Sequence, residues 1–118
     1  MKYMLLIYEP EDAYEGPQGE QALSDIVAKH MKLGKDLRAQ SVAYVGAPLQ
    51  PSMTATTVRT SADGGQTLHD GPFAETREHL GGYYEIDVAD LDQAIRWARQ
   101  VPVMPGGMVE VRPHADYG

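Results

Sequence analysis

The order of two helical segments among six short β-segments is the feature that most limits the fold of this chain. Two stretches space apolar residues three and four positions apart, as amphipathic helices do: residues 21–39 and 91–101. Short apolar or alternating segments, typical of strands, surround them: residues 3–8, 41–49, 55–60, 66–69, 82–88 and 107–113. This order predicts an α+β fold, a ferredoxin-like (split βαβ) protomer with an added hairpin.

Turn and cap residues predict where these elements begin and end. Pro10 ends the first strand, and an Asp-Gly pair marks the turn of the hairpin. Asp90 is the predicted N-cap of the second helix, with Gln93 as its capping-box partner. Residues 70–82 are expected to form an irregular loop with one short helical turn. With 118 residues and no repeat or linker, the chain is predicted to be a single domain, residues 1–118.

Charge and the absence of cysteine narrow the classes of function. The chain carries 10 basic and 17 acidic residues, a net charge of −7, and so offers no positive field to nucleic acid. Because it has no Cys, disulfides and thiol chemistry are excluded, and a reducing compartment is expected. The apolar run at residues 3–8 is too short to span a membrane. We therefore expect a cytoplasmic protein that binds neither nucleic acid nor a membrane directly.

Two helices cover only one face of such a sheet. Leu5, Ile7, Val109 and Val111 suggest more apolar sheet surface than two helices can hide. We therefore predict a homodimer in which a second copy packs sheet to sheet. Trp97 falls off the main apolar stripe of the second helix, which predicts a place at that interface or at the rim of a barrel.

His30 is the most informative candidate for chemistry. On a helical wheel its imidazole points at the middle of the stripe that contains Leu23 and Val27. Gly34 falls on the same face and leaves either a close backbone contact or a small hollow. A core histidine satisfied by one hydrogen bond is one interpretation. A proton-transfer residue with a shifted pKa is the other, and the two stay open at this point.

The loop DGPFAETRE, residues 70–78, is the second candidate. In the structural interpretation, Asp70 and Gly71 form an Asx turn and Phe73 plugs the core. In the functional interpretation, the loop is one wall of a pocket in which Asp70 orients or charges His30. The other residues predicted to bind substrate are Pro72, Phe73, Glu75, Arg77 and Tyr83.

No motif for a metal or a cofactor is present. No two histidines lie four residues apart on a helix or form an H-x-H strand pattern. A phosphate-binding Gly-rich loop, a nucleophile elbow and a dinucleotide fingerprint are also missing from the sequence. We expect neither a metal nor a cofactor.

Several runs of this sequence together resemble one known family. The runs are DGPFAETREHLGGYYEIDVADLDQAIRWA, VEVRP, MKYMLLIY, the helix segment around His30, and GAPLQP followed by TATTVR. They are similar to the DGPF-domain proteins of the YCII-related family, over nearly the whole chain. The resemblance implies a dimeric α+β barrel built from ferredoxin-like protomers.

The resemblance also implies candidate roles. A His and an Asp have been proposed as an active-site pair in the wider family, and some relatives look like muconate-type lyases or dehydrochlorinases. His30 matches the family's helix histidine, but residues 41–49 hold no carboxylate at the position of the family's Asp. Asp70 is the candidate to replace it. Relatives of the DGPF branch are also linked to extracytoplasmic-function sigma factors through fused or neighbouring genes.

We consider two functional hypotheses. The first is a small cytoplasmic enzyme in which His30 with Asp70 transfers protons on a small organic acid or cyclic compound, as a lyase or isomerase. The second is a non-catalytic dimeric module that binds a small ligand or a regulatory protein, in association with sigma-factor systems. A carboxylate within about 3 Å of His30, or one water away, favours the enzyme. A histidine sealed in the core and bonded to a backbone carbonyl favours the module.

Overall fold

The protein, described over residues 1–118 by a computed structural model, has one four-stranded sheet, two α-helices and a separate two-stranded hairpin. The strands are β1 (Lys2–Pro10), β2 (Tyr44–Pro48), β3 (Thr56–Thr60), β4 (Gln66–Asp70), β5 (Glu78–Asp87) and β6 (Met108–Pro113). The helices are α1 (Gly19–Ala39) and α2 (Leu91–Ala98). Neither helix combines the length and the apolar composition that crossing a membrane requires.

The sheet topology is compatible with a ferredoxin-like protomer. The strand order is β2-β5-β1-β6, and every neighbouring pair is antiparallel. Helix α1 connects β1 to β2 across β5, and α2 connects β5 to β6 across β1. These are two interleaved split βαβ units. The predicted α+β class is confirmed.

The core lies between the sheet and the two helices, and the alternation of β1 sets its position. Tyr3, Leu5 and Ile7 point toward the helices and are at most 5% exposed. They pack with six further buried residues: Leu33, Leu37, Ile86, Ala94, Trp97 and Val101. Burying this apolar surface, at roughly 25 cal/mol per Å², is the main stabilising contribution to the domain.

Two expectations about buried apolar residues are wrong. Trp97 is a core residue, only 4% exposed, because α2 turns its indole toward the sheet. Val109 and Val111 pair with Ile7 and Leu5 of β1, so all four face the helices. They do not mark uncovered sheet surface.

The other face of the sheet is nevertheless uncovered in one chain. Met4, Leu6 and Tyr8 alternate with the core residues of β1 and therefore point away from the helices. The register places further side chains beside them: Val45, Ala47, Leu80, Tyr83, Glu85, Met108, Glu110 and Arg112. We call this surface the open face.

A β-bulge in β5 leaves Gly81 without a partner on β1. Ile7 pairs with Gly82, but the next residue, Tyr8, pairs with Leu80. The alternation of β5 therefore shifts by one residue at the bulge. Because pairing with β1 continues through it, β5 begins at Glu78, earlier than predicted, and the loop before it contains no helical turn.

The N-terminus of α2 confirms the predicted cap. The side chain of Asp90 accepts the N–H of Gln93 at 3.0 Å. The reciprocal half of the predicted capping box is not formed, because the amide oxygen of Gln93 accepts from Arg96 instead.

The hairpin of β3 and β4 stands apart from the main sheet. Its strands pair only with each other, and nine of its ten strand residues are exposed. The radius of gyration is 16.4 Å, whereas a compact chain of this length has a value of about 13 Å. The hairpin and the loop that follows it, residues 56–77, therefore project from the domain, and we call them the arm.

Candidate functional site

His30 lies on the side of α1 that faces the sheet, as the helical wheel predicts. The buried residues Ile26, Leu33 and Leu37 share this side of the helix. His30 itself is half-buried. Its imidazole is therefore held among core side chains without being sealed by them.

The apolar stripe of α1 is narrower than the sequence pattern suggests. Leu23 and Val27 are 49% and 48% exposed, and Met31 is 64% exposed. One sheet surface can cover only one side of a helix, and these three residues lie beyond its edge.

Tyr84 of β5 fixes the orientation of the imidazole. Its hydroxyl lies 2.7 Å from Nδ1 of His30, and the two rings stack with centroids 5.8 Å apart. Burial, assisted by the neighbouring Tyr44, raises the pKa of Tyr84 above its ordinary value of 10.0. The phenol therefore stays protonated near neutral pH, and its hydroxyl can either donate to Nδ1 or accept from it.

The surroundings of His30 favour its neutral form. Burial lowers the pKa of His30 below its ordinary value of 6.5. The charge of Glu9 and the backbone of Pro102 act in the opposite direction and reduce this shift. Because burial dominates, the imidazole is unprotonated at neutral pH and available to accept a proton.

Glu9 is a buried carboxylate on the same side of the sheet as His30. It is 9% exposed and continues the odd-numbered series of β1 that begins with Tyr3 and Leu5. Its Oε2 accepts two hydrogen bonds, from the hydroxyl of Tyr14 at 2.9 Å and from the backbone N–H of Met104 at 2.6 Å. Burial and the bond to Glu9 raise the pKa of Tyr14. One oxygen of Glu9 is thereby fixed in place.

Two polar atoms of this site form no hydrogen bond to another side chain, Nε2 of His30 and Oε1 of Glu9. No ring nitrogen of His30 lies within 4.0 Å of a carboxylate oxygen. Neither atom is sealed, since no fully buried side-chain nitrogen or oxygen is left unpaired. We call His30, Tyr84 and Glu9 the His30 site. Nε2 of His30 and Oε1 of Glu9 are both accessible to solvent, and they lie more than 4.0 Å apart.

Gly34 of α1 leaves room for Tyr44 beside the His30 site. A Cβ at this position would lie 2.7 Å from the hydroxyl of Tyr44, so the glycine allows a close contact rather than leaving a hollow. The same hydroxyl accepts a hydrogen bond from Arg38 at 2.6 Å. Tyr44 in turn contacts the ring of Tyr84, with centroids 6.2 Å apart.

Asp70 is not part of the His30 site within one chain. It is the last residue of β4, on the exposed arm, and its side chain makes no hydrogen bond or ion pair. The predicted pairing of His30 with Asp70 is therefore not formed in the protomer. The arm pairs with itself instead of with the sheet, and this is the physical reason.

The rest of the DGPF loop is also remote from the packed core. Phe73 is 75% exposed, so it does not plug the core. Glu75 and Arg77 are exposed and form no ion pair, and Pro72 is half-buried. The substrate-binding roles of these residues stay predictions.

Tyr83 and Tyr84 lie on opposite faces of β5. Tyr83 pairs with Leu6 and lies on the open face, so it cannot share the His30 site within one protomer. Tyr84 is the residue that meets His30. Sequence reasoning missed Tyr84 and Glu9 as site residues. The signal that could have found Glu9 is the alternation of β1, because Glu9 continues the odd-numbered series of buried residues.

Two surface depressions lie elsewhere. One, of about 450 Å³, is at the start of α1 and is lined by polar residues such as Gln18, Gln21 and Asp25. The other, of about 430 Å³, is an apolar groove between α2 and β6. No group of three His, Asp or Glu side chains is arranged to hold a metal ion.

The sequence of this chain is similar to known proteins over nearly its whole length. The model of the YCII-related domain matches residues 1–116. An uncharacterized protein of Rhizobium meliloti (strain 1021) is 39% identical over 123 residues, which cover 99% of this chain and 94% of the relative. The similarity thus extends over the sheet, both helices and the arm.

Proposed function

The chain belongs to the YCII-related family, and from that premise we propose that it is a small enzyme in which His30 transfers protons. The substrate class is a small organic acid or a cyclic compound, and the reaction is an elimination or an isomerisation. The observation that carries the proposal is that the two ring nitrogens of His30 have different surroundings. Nδ1 is held by Tyr84 at 2.7 Å, while Nε2 is bonded to no side chain and is not sealed from solvent.

This arrangement suits general acid and base catalysis. When the ring acts as a base, Nδ1–H donates to the hydroxyl oxygen of Tyr84, and the lone pair of Nε2 accepts a proton from the substrate. The resulting imidazolium keeps its bond to Tyr84 and returns the proton from Nε2 to the product. A pKa lowered by burial keeps the free base available at neutral pH.

We assign to Glu9 the role that the sequence suggested for Asp70. Its charge favours the protonated form of His30. It therefore stabilises the imidazolium that forms during the reaction. Glu9 is held for this purpose by Tyr14 and by the backbone of Met104.

Hydrogen–deuterium exchange on carbon tests the proposal and does not require the substrate to be identified first. A panel of small acids, lactones and cyclic ketones is incubated with the protein in D₂O, and loss of carbon-bound protons is followed by NMR. We expect exchange in at least one compound class, and a loss of about 100-fold or more in His30→Gln, the usual contribution of general acid–base catalysis. His69→Gln, an exposed histidine on the arm, is the matched control.

The outcome that overturns the assignment is an exchange rate in folded His30→Gln equal to that of the unmodified protein. Circular dichroism establishes that the variant is folded. Glu9→Gln and Asp70→Asn identify the assisting carboxylate. A larger loss in Asp70→Asn than in Glu9→Gln returns that role to Asp70.

A non-catalytic module for a small ligand or a regulatory protein, associated with sigma-factor systems, is the second candidate. The observation in its favour is that no carboxylate oxygen lies within 4.0 Å of the His30 ring nitrogens. Compounds that bind at His30 but undergo no exchange that depends on His30 would support the module over the enzyme.

We also propose that the protein is a homodimer assembled through the open face. Leu6, Tyr8 and Tyr83 form an apolar centre there that no element of the chain covers. Two copies packed face to face would bury it and form the dimeric barrel expected for this family. Sedimentation at micromolar concentration should give twice 12.9 kDa, and Tyr83→Glu should give a monomer. A monomeric mass for the unmodified protein counts against the dimer.

A further inference from the structure

We infer that the His30 site takes a ligand that presents a hydrogen-bond donor, a hydroxyl, amide N–H or ammonium group, to Oε1 of Glu9. A ligand that directs a carboxylate to this end of the site is disfavoured. The inference rests on the proposed function and narrows its substrate class toward cyclic compounds with a donor group.

The first step concerns the buried charge of Glu9. The side chain is 9% exposed, yet only Oε2 has hydrogen-bond partners, the hydroxyl of Tyr14 and the N–H of Met104. A carboxylate removed from water is costly unless its oxygens are paired. Oε1 therefore has unused acceptor capacity at the solvent-accessible edge of a largely buried side chain, and a ligand donor would satisfy it.

The second step concerns the absence of a cation. Glu9 forms no ion pair with any Lys, Arg or His of the chain, including His30. The guanidinium of Arg38 is engaged with Tyr44 on an exposed part of α1. A ligand carboxylate beside Glu9 would therefore meet a like charge with no Lys or Arg to offset the repulsion, and His79, the register partner of Glu9, is directed toward Glu11 instead.

The third step concerns the space in front of Oε1. Gly81, the bulge residue of β5, has no side chain, and a Cβ there would lie 3.8 Å from Oε1, an ordinary van der Waals distance. Apart from the chain neighbours of Gly81, no other atom lies within 4 Å of that position, so the space beside Oε1 is open there. Alanine should fit at Gly81, whereas a larger side chain would occupy the space that the ligand donor needs.

The test uses three probes with the same ring: benzylamine, benzyl alcohol and benzoate. Each is titrated into the full-length protein, and the dissociation constant is obtained from NMR chemical shifts, with the His30 ring resonances reporting binding at the site. We expect benzylamine and benzyl alcohol to bind at least about 10-fold more tightly than benzoate, a difference of about 1.4 kcal/mol.

Two variants locate the effect. Glu9→Gln should remove most of the preference for benzylamine over benzoate, whereas Glu15→Gln, an exposed acidic control, should retain it. Gly81→Val should weaken all donor probes without changing any charge, which keeps the test valid if Glu9→Gln does not fold. Benzoate binding as tightly as benzylamine, an unchanged preference in Glu9→Gln, or no donor probe shifting the His30 resonances would each overturn the inference.

Failure of the proposed function is distinguishable from failure of this inference. Donor probes that bind at Glu9 in a protein without exchange activity would refute catalysis and leave the ligand preference standing. Exchange that depends on His30 and is as fast on carboxylates as on donor-bearing compounds in the unmodified protein would support catalysis and refute the ligand preference.

Discussion

The His30 site and the arm both carry residues that the sequence marks for chemistry, but the protein holds them in different ways. His30, Tyr84 and Glu9 come from one helix and two neighbouring strands, and each is partly or fully buried beside the core. Asp70 and Phe73 of the arm are exposed and make no side-chain hydrogen bond or ion pair. The most conspicuous motif thus lies on an exposed arm, whereas the hydrogen-bonded side chains of the His30 site lie beside the core.

The difference arises from what each region packs against. The His30 site lies on a four-stranded sheet whose helix side is covered by α1 and α2. The arm is a two-stranded hairpin without a covering layer, and such a hairpin has little stability of its own in water. Preorganised side chains require surroundings that fix their rotamers, and in one protomer only the first region supplies them.

The largest expected contrast is in the cost of removing an apolar side chain from each region. Leu37 is 1% exposed, so Leu37→Ala should lower the free energy of unfolding by about 2–5 kcal/mol. Leu68 of the arm is 74% exposed, and Leu68→Ala should change it by about 0.5 kcal/mol or less. Urea unfolding followed by circular dichroism measures both. A cost for Leu68→Ala close to that of Leu37→Ala would show that the arm is packed in solution, against a second copy.

A smaller contrast in the free energy of unfolding is expected between substitution of Glu9 in the His30 site and of Asp70 on the arm. Glu9→Ala leaves the N–H of Met104 and the hydroxyl of Tyr14 without their acceptor, which should cost about 1–3 kcal/mol. Asp70→Ala removes a side chain that has no partner, so its effect should stay within about 0.5 kcal/mol. The measurement is again urea unfolding of both variants. Equal losses would contradict the distinction between a held carboxylate and a free one.

The smallest expected effect is on the pH dependence of stability, which substitution of His30 should change and substitution of His69 on the arm should not. Burial lowers the pKa of His30 in the folded chain below 6.5, so the unfolded chain binds the proton more readily between the two values. The stability from neutral His30 is complete above the unfolded pKa and is lost as pH falls through the folded pKa.

Thermal unfolding between about pH 8 and about pH 5 tests this sign. The unmodified protein should lose stability on acidification. His30→Asn should lose less than the unmodified protein, and His69→Asn on the arm should lose the same amount. An acid slope unaffected by His30→Asn would contradict the assignment of a lowered pKa to His30.

Local patterns in the sequence were enough to predict much of this fold. Periodicity predicted both helices and the order of the strands, and the Asp90 cap is a contact between residues three apart. The side of α1 on which His30 lies also depends only on helix geometry.

The composition of the site could not be predicted in the same way, because it depends on register between distant segments. Alternation showed that Tyr83 and Tyr84 face opposite ways, but pairing with β1 decides which of them meets His30. Glu9 becomes a site residue only when Met104, 95 positions away, binds its carboxylate. Whether Asp70 approaches His30 depended on where the hairpin packs, which no local pattern encodes.

The bulge at Gly81 has a consequence for how insertions and deletions would act on this protein. It is a single additional residue that resets the phase of β5 relative to β1. Without the bulge, at the same chain length, Gly81 would pair with Tyr8 and Leu80 with Glu9. Leu80 would then turn toward the helices and His79 toward the open face. Deleting Gly81 would instead keep Leu80 opposite Tyr8, so the residues between the arm and the bulge would keep their faces. The bulge therefore absorbs one additional residue and preserves the side of the sheet from which the arm departs.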